Sequence, residues 1–566
     1  MIDGNWSMKT FPKAWRRLTA VVVISAGFIS LVTSTRADDS PLPQETVITV
    51  DTSAKGRPIS PLIYGVCFGK TEQLRDLNFT LNRQGGNNFT RYNWRTNTVN
   101  LDSDWYFESI PGFFLNEPTT QVPGQRADSF IEHTQAAGAQ PMITIPMIGW
   151  VAKVTPQKDK LYSFSVAKYG AQQKTAPGDP DAGNGIKPDG VTRITGNDPN
   201  DACQPADVDY QRPWVEHLVK QWGAAAHGGL RYYIMDNEPG LWHETHRDVH
   251  PVGFTNNEYL KDFLGYAAMV KSVDPSAQVV GPEEWGWPGF AYSGFDAQYR
   301  GQHGYQGHPD QDAHGGMPFM PWLLSQIREH DEKTGQRLLD VFTFHMYPQG
   351  GDQGPDVSPK IEILRNRSTR SLWDPNYKDE SWINDKIMLI PRMRGLVDTY
   401  YPGTKIGITE YNWGAEKSMS GATAQADVLG IFGREGVDLA TRWTVPPTDS
   451  PAYNAMKIYR NYDGKDGTFG DLSVSDSAPD CDDVSSFAAL RRSDGALTVM
   501  VINKQLDAPA NVKIAIAGFD SSSAEAWQIA GDGSSIKRLA DVSVDGGVPR
   551  STLPSQSVTL FVLHKR

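Results

Sequence analysis

Two glutamates in this chain each stand where a short apolar run gives way to polar and aromatic residues. The run at 232–237 leads into Glu238 within the string DNEP at 236–239, and the run at 405–410 ends on Glu410 within the string TEYNW at 409–413. Breaking a glycosidic bond needs a proton for the leaving oxygen and electron density for the anomeric carbon. Two carboxyl groups that flank the bond supply both, so the pair indicates acid–base and nucleophilic chemistry at a sugar acetal.

The two glutamates are predicted to have different roles. We assign Glu238 as the acid/base, because a negative carboxylate nearby raises the pKa of a carboxyl group and keeps its proton in place. We assign Glu410 as the nucleophile, and Asn237 as a hydrogen-bond partner of the sugar 2-hydroxyl. A single glutamate at the end of a strand is more often structural, but two of them in matching contexts favour catalysis.

Other polar and aromatic residues follow the apolar runs and are candidates for substrate contact. Glu283 and Glu284 end the fifth run, where they either serve the site or form a loop salt bridge, and Asp236 is expected to have a supporting role. Tyr347 is placed to hydrogen-bond the nucleophile, with packing as the alternative. For each tryptophan alone core packing is favoured, but two or three of the group are expected to stack on sugars. The predicted substrate-binding residues are Asn237, Trp94, Trp242, Glu284, Trp285, His345, Tyr347 and Trp413.

Two segments resemble metal sites only superficially. His243, His246 and His250 lie three and four residues apart, but the spacing differs from that of the zinc-protease helix, so structural or substrate-contacting histidines are favoured over a zinc site. The string DGKDG at 463–467 lacks the bidentate glutamate of a calcium loop, and a plain turn is favoured there. We therefore predict that catalysis requires no cofactor.

The pattern of strands and helices that must position these residues predicts a parallel barrel. Short apolar runs alternate with longer helix-like stretches, the pattern of a (β/α)8 fold in the α/β class. The eight predicted strands are 63–68, 88–91, 141–146, 232–237, 277–282, 341–345, 405–410 and 440–443, and the clearest helices are 257–273, 321–335 and 423–436. Barrel enzymes place their sites at the carboxyl ends of the strands, which is where both glutamates stand.

The helical pattern stops after Asn461, and alternating strands separated by turns indicate an all-β sandwich. The alternating segment 45–51 is expected to join it. The predicted domains are a signal peptide at 1–37, an N-terminal strand segment at 38–58 that joins the sandwich, a catalytic barrel at 59–460 and a β-sandwich at 461–566. The long segments 157–211 and 349–385 are predicted to wall an extended cleft.

Basic residues precede a short apolar stretch near the amino end, and small residues up to Ala37 follow it, as in a secretory signal; an uncleaved anchor is the alternative. We therefore predict a secreted protein with no membrane attachment after signal removal.

The formal net charge of −12 excludes nucleic acid as a partner class and fits a neutral polysaccharide. Three cysteines exclude a disulfide framework, although pairing of Cys203 with Cys481 is left open.

The chain resembles glycoside hydrolase family 44, the endoglucanases and xyloglucanases, over nearly all of its length after residue 37. The resemblance is carried by the strings RQGGN at 83–87, TRYNW at 90–94, DWYF at 104–107, MDNEP at 235–239, THRDVHP at 245–251, GPEEWGW at 281–287 and TEYN at 409–412. It implies a barrel with a β-sandwich, a retaining mechanism with the same two glutamates, and β-1,4-glucan or xyloglucan as substrate. It also implies that a structural calcium ion can be bound. Gln84 stands where the family is expected to have Trp, which puts one cleft contact in doubt.

Two alternatives are kept beside this interpretation. An inverting β-glycanase would use the same two glutamates, but with their carboxyl groups about 6.5–9.5 Å apart rather than about 5–5.5 Å. A polysaccharide-binding protein without catalysis would explain the tryptophans but not the paired glutamates. We expect a monomer that cuts internal bonds of a long glucan.

Overall fold

The computed structural model describes residues 45–112, 120, 122–154, 160–545 and 548–566. The predicted signal peptide at 1–37 lies outside the described residues. None of the helices within the described part of the chain combines the length and apolar character that crossing a membrane requires.

Eight parallel strands form the barrel, and each is followed by a helix that packs on its outside. The strands are Gly65–Cys67, Leu81–Gln84, Gln140–Ile145, Tyr232–Met235, Gln278–Glu284, Val341–Met346, Lys405–Tyr411 and Leu439–Ala440. The helices that follow them in turn are Thr71–Leu77, Gln125–Ala136, Val208–Trp222, Asn256–Val273, Phe319–Thr334, Leu389–Tyr400, Met419–Glu435 and Pro451–Arg460. A parallel bridge between Val66 and Arg442 joins the first and eighth strands, so the predicted (β/α)8 fold is confirmed.

The prediction of the second strand was wrong. Residues 88–91 lie in a 3-10 helix, Asn87–Arg91, and the strand is Leu81–Gln84. All four side chains of that strand are buried, yet three of them are polar, Asn82, Arg83 and Gln84. A strand that carries buried polar groups has no apolar run for the sequence pattern to reveal.

The interior of the barrel is filled by alternate residues of its strands, as a closed parallel barrel requires. These interior side chains are Leu81, Met142, Tyr232, Ile234, Val280, Val341 and Leu439. Arg83 is in register with Met142 and therefore faces the same interior, nearer the carboxyl ends of the strands. Gln84 is in register with Ile143, which packs among the helices. Because its side chain lies on the helix side and is fully buried, Gln84 does not contact the cleft.

The carboxyl-terminal sheet folds over itself around its own apolar core. In order across the sheet its strands are Ser475–Ser477, Thr46–Asp51, Ala510–Ala517, Val548–Leu553, Val542–Asp545, Ser523–Ile529, Ser557–Leu563, Ala496–Asn503, Val484–Arg491, Leu472–Ser473 and Arg57–Pro58. Thr46–Asp51 runs parallel to Ala510–Ala517 and completes this sheet. Side chains from both halves meet in the core, for example Ile48 and Val50 with Val499.

The central strand Ala496–Asn503 is buried on both faces. Leu497, Val499 and Val501 face the core of the sheet, whereas Met500 and Ile502 pack in the cluster that includes the barrel helices. The helix Met419–Glu435 covers this second face, and Gly430 lies so close to Phe487 that a Cβ atom at residue 430 would stand 2.2 Å from the ring. The two layers are thus packed as tightly as the interior of one domain.

Candidate active site

The carboxyl ends of the barrel strands carry the candidate catalytic groups. Glu410 is the next-to-last residue of the seventh strand, and Glu238 comes three residues after the fourth strand. The backbone turns sharply there, with φ of 63° at Asp236 and 41° at Glu238, in a region that non-glycine residues seldom occupy. Asp236 is fully buried and accepts hydrogen bonds from the backbone N–H of Ile148 at 3.1 Å and of Asn237 at 2.8 Å. It thereby holds the turn in place, which is the supporting role predicted for it.

The two glutamate side chains meet at one point. A carboxylate oxygen of Glu238 lies within 4.8 Å of one of Glu410, and a ring nitrogen of His345 lies within the same distance of both. Retaining glycosidases hold their two carboxyl groups about 5–5.5 Å apart, and inverting ones about 6.5–9.5 Å. The observed separation agrees with the shorter spacing.

Two donors bind the carboxyl group of Glu410, one on each oxygen. Arg83 Nη1 donates to Oε1 at 2.7 Å, and the hydroxyl of Tyr347 donates to Oε2 at 2.8 Å. Burial, and then the negative charge of Glu410, raise the pKa of Tyr347 well above its ordinary value, so the phenol stays a donor. Charge-assisted bonds of this kind fix the carboxylate in one orientation.

His345 links the acid/base candidate to a third buried carboxylate, that of Glu283. Its Nδ1 lies 2.8 Å from Oε1 of Glu238 and its Nε2 lies 3.2 Å from Oε2 of Glu283. Burial alone disfavours the imidazolium, but the charge of Glu410 and the bonds to Glu238 and Glu283 outweigh it and raise the pKa of His345 to about 10. The ring is therefore a cation that donates from both nitrogens.

Charges in the site balance when Glu238 carries a proton. Arg83 and His345 are positive, and Glu283 and Glu410 are the two anions that contact them. Burial opposes the charge of Glu283, but Arg83 and then His345 outweigh it and lower its pKa. Burial raises the pKa of Glu238, and the negative charge of Glu410 adds to this increase. The hydrogen bond from His345 opposes it. Because His345 donates to Oε1, the proton of Glu238 belongs on Oε2.

Asn237 is fixed by contacts on both sides of its amide. Arg83 Nη2 donates to its Oδ1 at 2.8 Å, and its Nδ2 donates to Oδ1 of Asn87 at 3.1 Å. The indole Nε1 of Trp242 donates to its backbone oxygen at 3.1 Å. Asn237 therefore lies directly beside the two glutamates with a constrained amide plane.

Three of the residues predicted to contact substrate have buried side chains, Trp242, Glu284 and Trp413. Trp242 and Trp413 are each 2% exposed, and the indole of Trp413 donates to Ser368 Oγ at 3.0 Å. Glu284 is fully buried and accepts from the backbone N–H of Gly240 at 3.2 Å and of Trp285 at 2.9 Å. Burial raises the pKa of Glu284 to about 8. The bonds of Trp413 and Glu284 are made within the protein, and contact of the three residues with sugar stays a prediction.

An aromatic depression opens beside His345 and Tyr347. Its walls include Trp285, Trp287, Trp382, Ile383 and Ile387. Trp382 is 58% exposed, and its indole donates to Gln349 Oε1 at 3.3 Å. Trp94 is half-buried, with its indole nitrogen donating to the backbone oxygen of Tyr210 at 3.2 Å. Trp285 therefore lines this depression, and Trp382 is the most exposed tryptophan in it.

Several functional residues were missed by the analysis of the sequence. Arg83 and Asn87 stand in the string RQGGN, which was noted only as a family resemblance. Trp382 lies in a segment predicted to wall the cleft, without being singled out. Trp443 is half-buried and lies against Gly86, whose Cβ would stand 2.4 Å from the indole ring. Trp443 is the last residue of the eighth predicted run, and this position at a strand end is the sequence feature that could have identified it as a site residue.

Within the described residues, neither of the two motifs brings three potential metal-ligating atoms together. Burial lowers the pKa of His243 to about 4 and that of His246 well below its ordinary value, so both rings are neutral packing groups. Asp463 Oδ1 accepts the backbone N–H of Lys465 and Gly467, both at 2.8 Å, and thus closes its own turn. These two bonds stabilise a turn at 463–467, the structure favoured for this segment. Cys67, Cys203 and Cys481 are all free thiols.

A (β/α)8 barrel whose fourth and seventh strands bring two glutamates together at one rim defines a glycoside hydrolase. The model of glycoside hydrolase family 44 matches residues 98–350. A Paenibacillus polymyxa xyloglucanase of that family, solved with xyloglucan, is 31% identical with a TM-score of 0.77, over 92% of this chain and 100% of that one. The chain therefore belongs to glycoside hydrolase family 44.

Two further relatives are similar over most of the chain. CelM2, a bifunctional glucanase-xylanase from a metagenome library, is 54% identical with a TM-score of 0.90, over 92% of this chain and 99% of that one. The Beta-mannanase/endoglucanase A of Caldicellulosiruptor saccharolyticus is 33% identical over 521 residues, which cover 84% of this chain. The match spans 36% of that relative's length.

Proposed function

We propose that the protein is a retaining, endo-acting glycosidase that cleaves β-1,4-glucan backbones, including that of xyloglucan. The observation that carries the proposal is the short separation of the Glu238 and Glu410 carboxyl groups, together with the burial that raises the pKa of Glu238. The relatives support the substrate class, since their names include a xyloglucanase, a glucanase-xylanase and a mannanase/endoglucanase.

In the first step, a carboxylate oxygen of Glu410 attacks the anomeric carbon while Glu238 Oε2 gives its proton to the leaving glycosidic oxygen. The carbon–oxygen bond breaks, a covalent glycosyl ester forms, and Glu238 becomes a carboxylate. Arg83 and Tyr347 hold Glu410 in position for the attack. His345 keeps Oε1 of Glu238 occupied and so directs the proton to the other oxygen.

In the second step, Glu238 takes a proton from a water molecule, whose oxygen attacks the same carbon and releases Glu410. Asn237 donates to the 2-hydroxyl, a contact that strengthens in the transition state. Two carboxyl groups supply the proton and the nucleophile, so the proposed reaction uses no cofactor.

The walls of the site favour a long substrate. The segment after the third strand includes Cys203–Pro205, which pairs with Trp150–Ala152 at the rim, and the segment after the sixth strand brings Trp382 to the aromatic depression. An exposed indole can stack on a sugar ring remote from the cut bond, and such binding energy is used in part at the transition state. Longer oligosaccharides should therefore gain turnover as well as affinity.

The stereochemical course tests the mechanism. Proton NMR during hydrolysis of a cello-oligosaccharide should show the β-anomer as the first product, before mutarotation. An α-anomer would establish inversion instead. A Glu238→Gln protein should bind the oligosaccharide but cut it about 10²–10⁴-fold more slowly. Normal cleavage by that variant would overturn the assignment of the acid/base.

The mode of action needs a separate measurement. On a ladder of cello-oligosaccharides, kcat should rise with chain length, and the viscosity of a soluble glucan should fall faster than reducing ends appear. Equal efficiency on cellobiose would contradict endo action. Xyloglucan hydrolysis with sized products would define how branches are accepted.

We further propose that the protein is secreted and works as a monomer. Support for secretion is the basic-then-apolar pattern that precedes Ala37. Amino-terminal sequencing of protein from the culture medium should begin shortly after Ala37, and light scattering should give the mass of one chain. A start at Met1 in the medium, or a dimer mass, would contradict the respective proposal.

A further inference from the structure

A continuous chain of four side chains runs from the catalytic centre to the protein surface. Arg83 Nη2 donates to Asn237 Oδ1 at 2.8 Å, Asn237 Nδ2 donates to Asn87 Oδ1 at 3.1 Å, and Asn87 Nδ2 donates to Asp104 Oδ2 at 3.1 Å. Arg83 and Asn237 are buried, Asn87 is half-buried and Asp104 is exposed. The chain thus passes from the nucleophile's own partner to solvent.

The chemistry of the two ends decides the orientation of the amides between them. A guanidinium donates only, and a carboxylate accepts only. Asn237 must therefore present its oxygen to Arg83 and its nitrogen to Asn87. Asn87 must in turn present its oxygen to Asn237 and its nitrogen to Asp104. Reversing either amide would place two donors or two acceptors face to face, so a single arrangement satisfies all three hydrogen bonds.

This arrangement matters because the amide nitrogen of Asn237 has two hydrogens. One is used by Asn87, and the other is left for the sugar. If the amide turned, this N–H would move away from the position that the 2-hydroxyl must occupy, and a misplaced contact of that kind lowers the rate rather than the ground-state affinity. A group that anchors Asn87 therefore acts on catalysis without touching the substrate.

We propose that Asn87 and Asp104 are positioning residues that hold the amide of Asn237 for its bond to the sugar 2-hydroxyl. The proposal rests on the role of Asn237 in the proposed function. Asp104 contributes an acceptor oxygen for Asn87, and Arg83 fixes the direction of the hydrogen bonds from the other end. Desolvation by the surrounding protein, opposed by the Asn87 bond, and the negative charges of Glu238 and Glu410 raise the pKa of Asp104 to about 6, and the role assigned to Asp104 is that of its acceptor oxygen and not of its charge. The experiment must therefore separate the acceptor oxygen of Asp104 from its charge, which interacts with Glu238.

The choice of variants follows from that distinction. Asp104→Ala removes the acceptor, whereas Asp104→Asn keeps an oxygen that can accept from Asn87. Asn87→Ala interrupts the chain, and Asn88→Ala is a matched control in the same 3-10 helix. Within the described residues, the side chain of Asn88 forms no hydrogen bond to any of the four side chains that link Arg83 to Asp104. Asp104 is exposed, so its substitutions should leave folding intact.

The experiment compares two substrates, 4-nitrophenyl β-cellotrioside and its analogue that lacks the 2-hydroxyl on the ring next to the nitrophenyl group. On the parent substrate, kcat should fall about fivefold for Asp104→Ala and about tenfold for Asn87→Ala, the effect of losing one neutral hydrogen bond or slightly more. Asp104→Asn and Asn88→Ala should stay within about twofold of the wild type. On the deoxy substrate all four variants should match the wild type.

Three outcomes would overturn the proposal. Equal losses for Asp104→Asn and Asp104→Ala would show that the charge matters, and losses of the same size on the deoxy substrate would show that the chain does not act through the 2-hydroxyl. Wild-type rates for Asn87→Ala on the parent substrate would show that Asn87 does not hold Asn237 in position. The Asn237→Ala variant distinguishes these three outcomes from a failure of the proposed function. If kcat of this variant falls equally on both substrates, the role assigned to Asn237 in the proposed function is wrong.

Discussion

Tyr347 donates its phenolic hydroxyl to Oε2 of Glu410 at 2.8 Å, on the oxygen that Arg83 does not bind. This hydrogen bond must persist or rearrange when Glu410 attacks the anomeric carbon, so the phenol acts directly on the reactivity of the nucleophile. We expect Tyr347→Phe to lower kcat about ten- to hundredfold with little change in KM, since a hydrogen bond to a charged group contributes about 1.5–3 kcal/mol. Steady-state kinetics on cellotetraose would measure it. Tyr305→Phe is the control, because that ring is 65% exposed; a loss confined to KM would contradict the prediction.

Glu238 must be protonated in the first step, and its pKa is raised by burial and further by the charge of Glu410. Activity should therefore be lost as pH rises through the pKa of Glu238, giving the basic limb of the kcat/KM profile. Glu238→Gln should lower kcat on glucan about 10²–10⁴-fold and remove that limb. Substrates with a good leaving group such as dinitrophenol need less acid assistance and should lose less in their first step. An unchanged basic limb in the variant would show that another group supplies the proton.

The cation at His345 links stability to pH. Its pKa in the folded protein is raised to about 10 from an ordinary value near 6.5, so its contribution to stability is complete below pH 6.5 and is lost as the pH rises toward 10. We expect the urea midpoint of the wild type to fall across this interval. Glu283→Gln removes one of the carboxylates that stabilise the imidazolium, so its midpoint should be lower at pH 7 and should depend less on pH.

A matched variant for this test is Glu416→Gln, which removes the carboxylate partner of Arg442. That pair does not involve His345, so the variant should keep the wild-type slope between pH 7 and 10. If Glu283→Gln and the wild type show the same slope, another group causes the alkaline loss of stability.

Contact between the barrel and the sheet is testable at Gly430. A methyl group there would lie 2.2 Å from the Phe487 ring, so Gly430→Ala should destabilise the protein by about 1–3 kcal/mol despite the better helix propensity of alanine. Gly265→Ala is the control, because it also lies in a helix and its Cβ would meet nothing within 4 Å. The control should raise the free energy of unfolding by up to about 1 kcal/mol. A neutral Gly430→Ala would mean that the two layers adjust easily.

The sequence predicted the barrel and the positions of Glu238 and Glu410, because these depend on local runs and on what ends them. It misplaced the second strand, because Arg83 and its neighbours bury polar side chains where an apolar run was sought. The bridge that Arg83 forms between Glu410, Glu283 and Asn237 depends on contacts across the barrel, which spacing along the chain does not encode.

Tryptophans were the least predictable residues. Trp413 follows a catalytic strand and Trp242 follows a catalytic glutamate, yet both are buried by elements distant in the sequence. Trp382 lies in a long segment with no strand-end signal and is the exposed one. Whether an indole meets sugar or core depends on the helices and loops that cover it, and a single sequence gives no measure of that.

The pairing of Thr46–Asp51 with Ala510–Ala517 sets an order of events during synthesis. A ribosome that adds about 5–20 residues per second needs roughly 25–90 s to reach the partner strand after the first one has emerged. During this time Ile48 and Val50 lack the sheet that buries them, and all eight barrel strands are made before the partner strand Ala510–Ala517. The edge of Thr46–Asp51 that faces Ala510–Ala517 therefore stays unpaired until that strand is made, and an unpaired strand edge is a site of aggregation during folding.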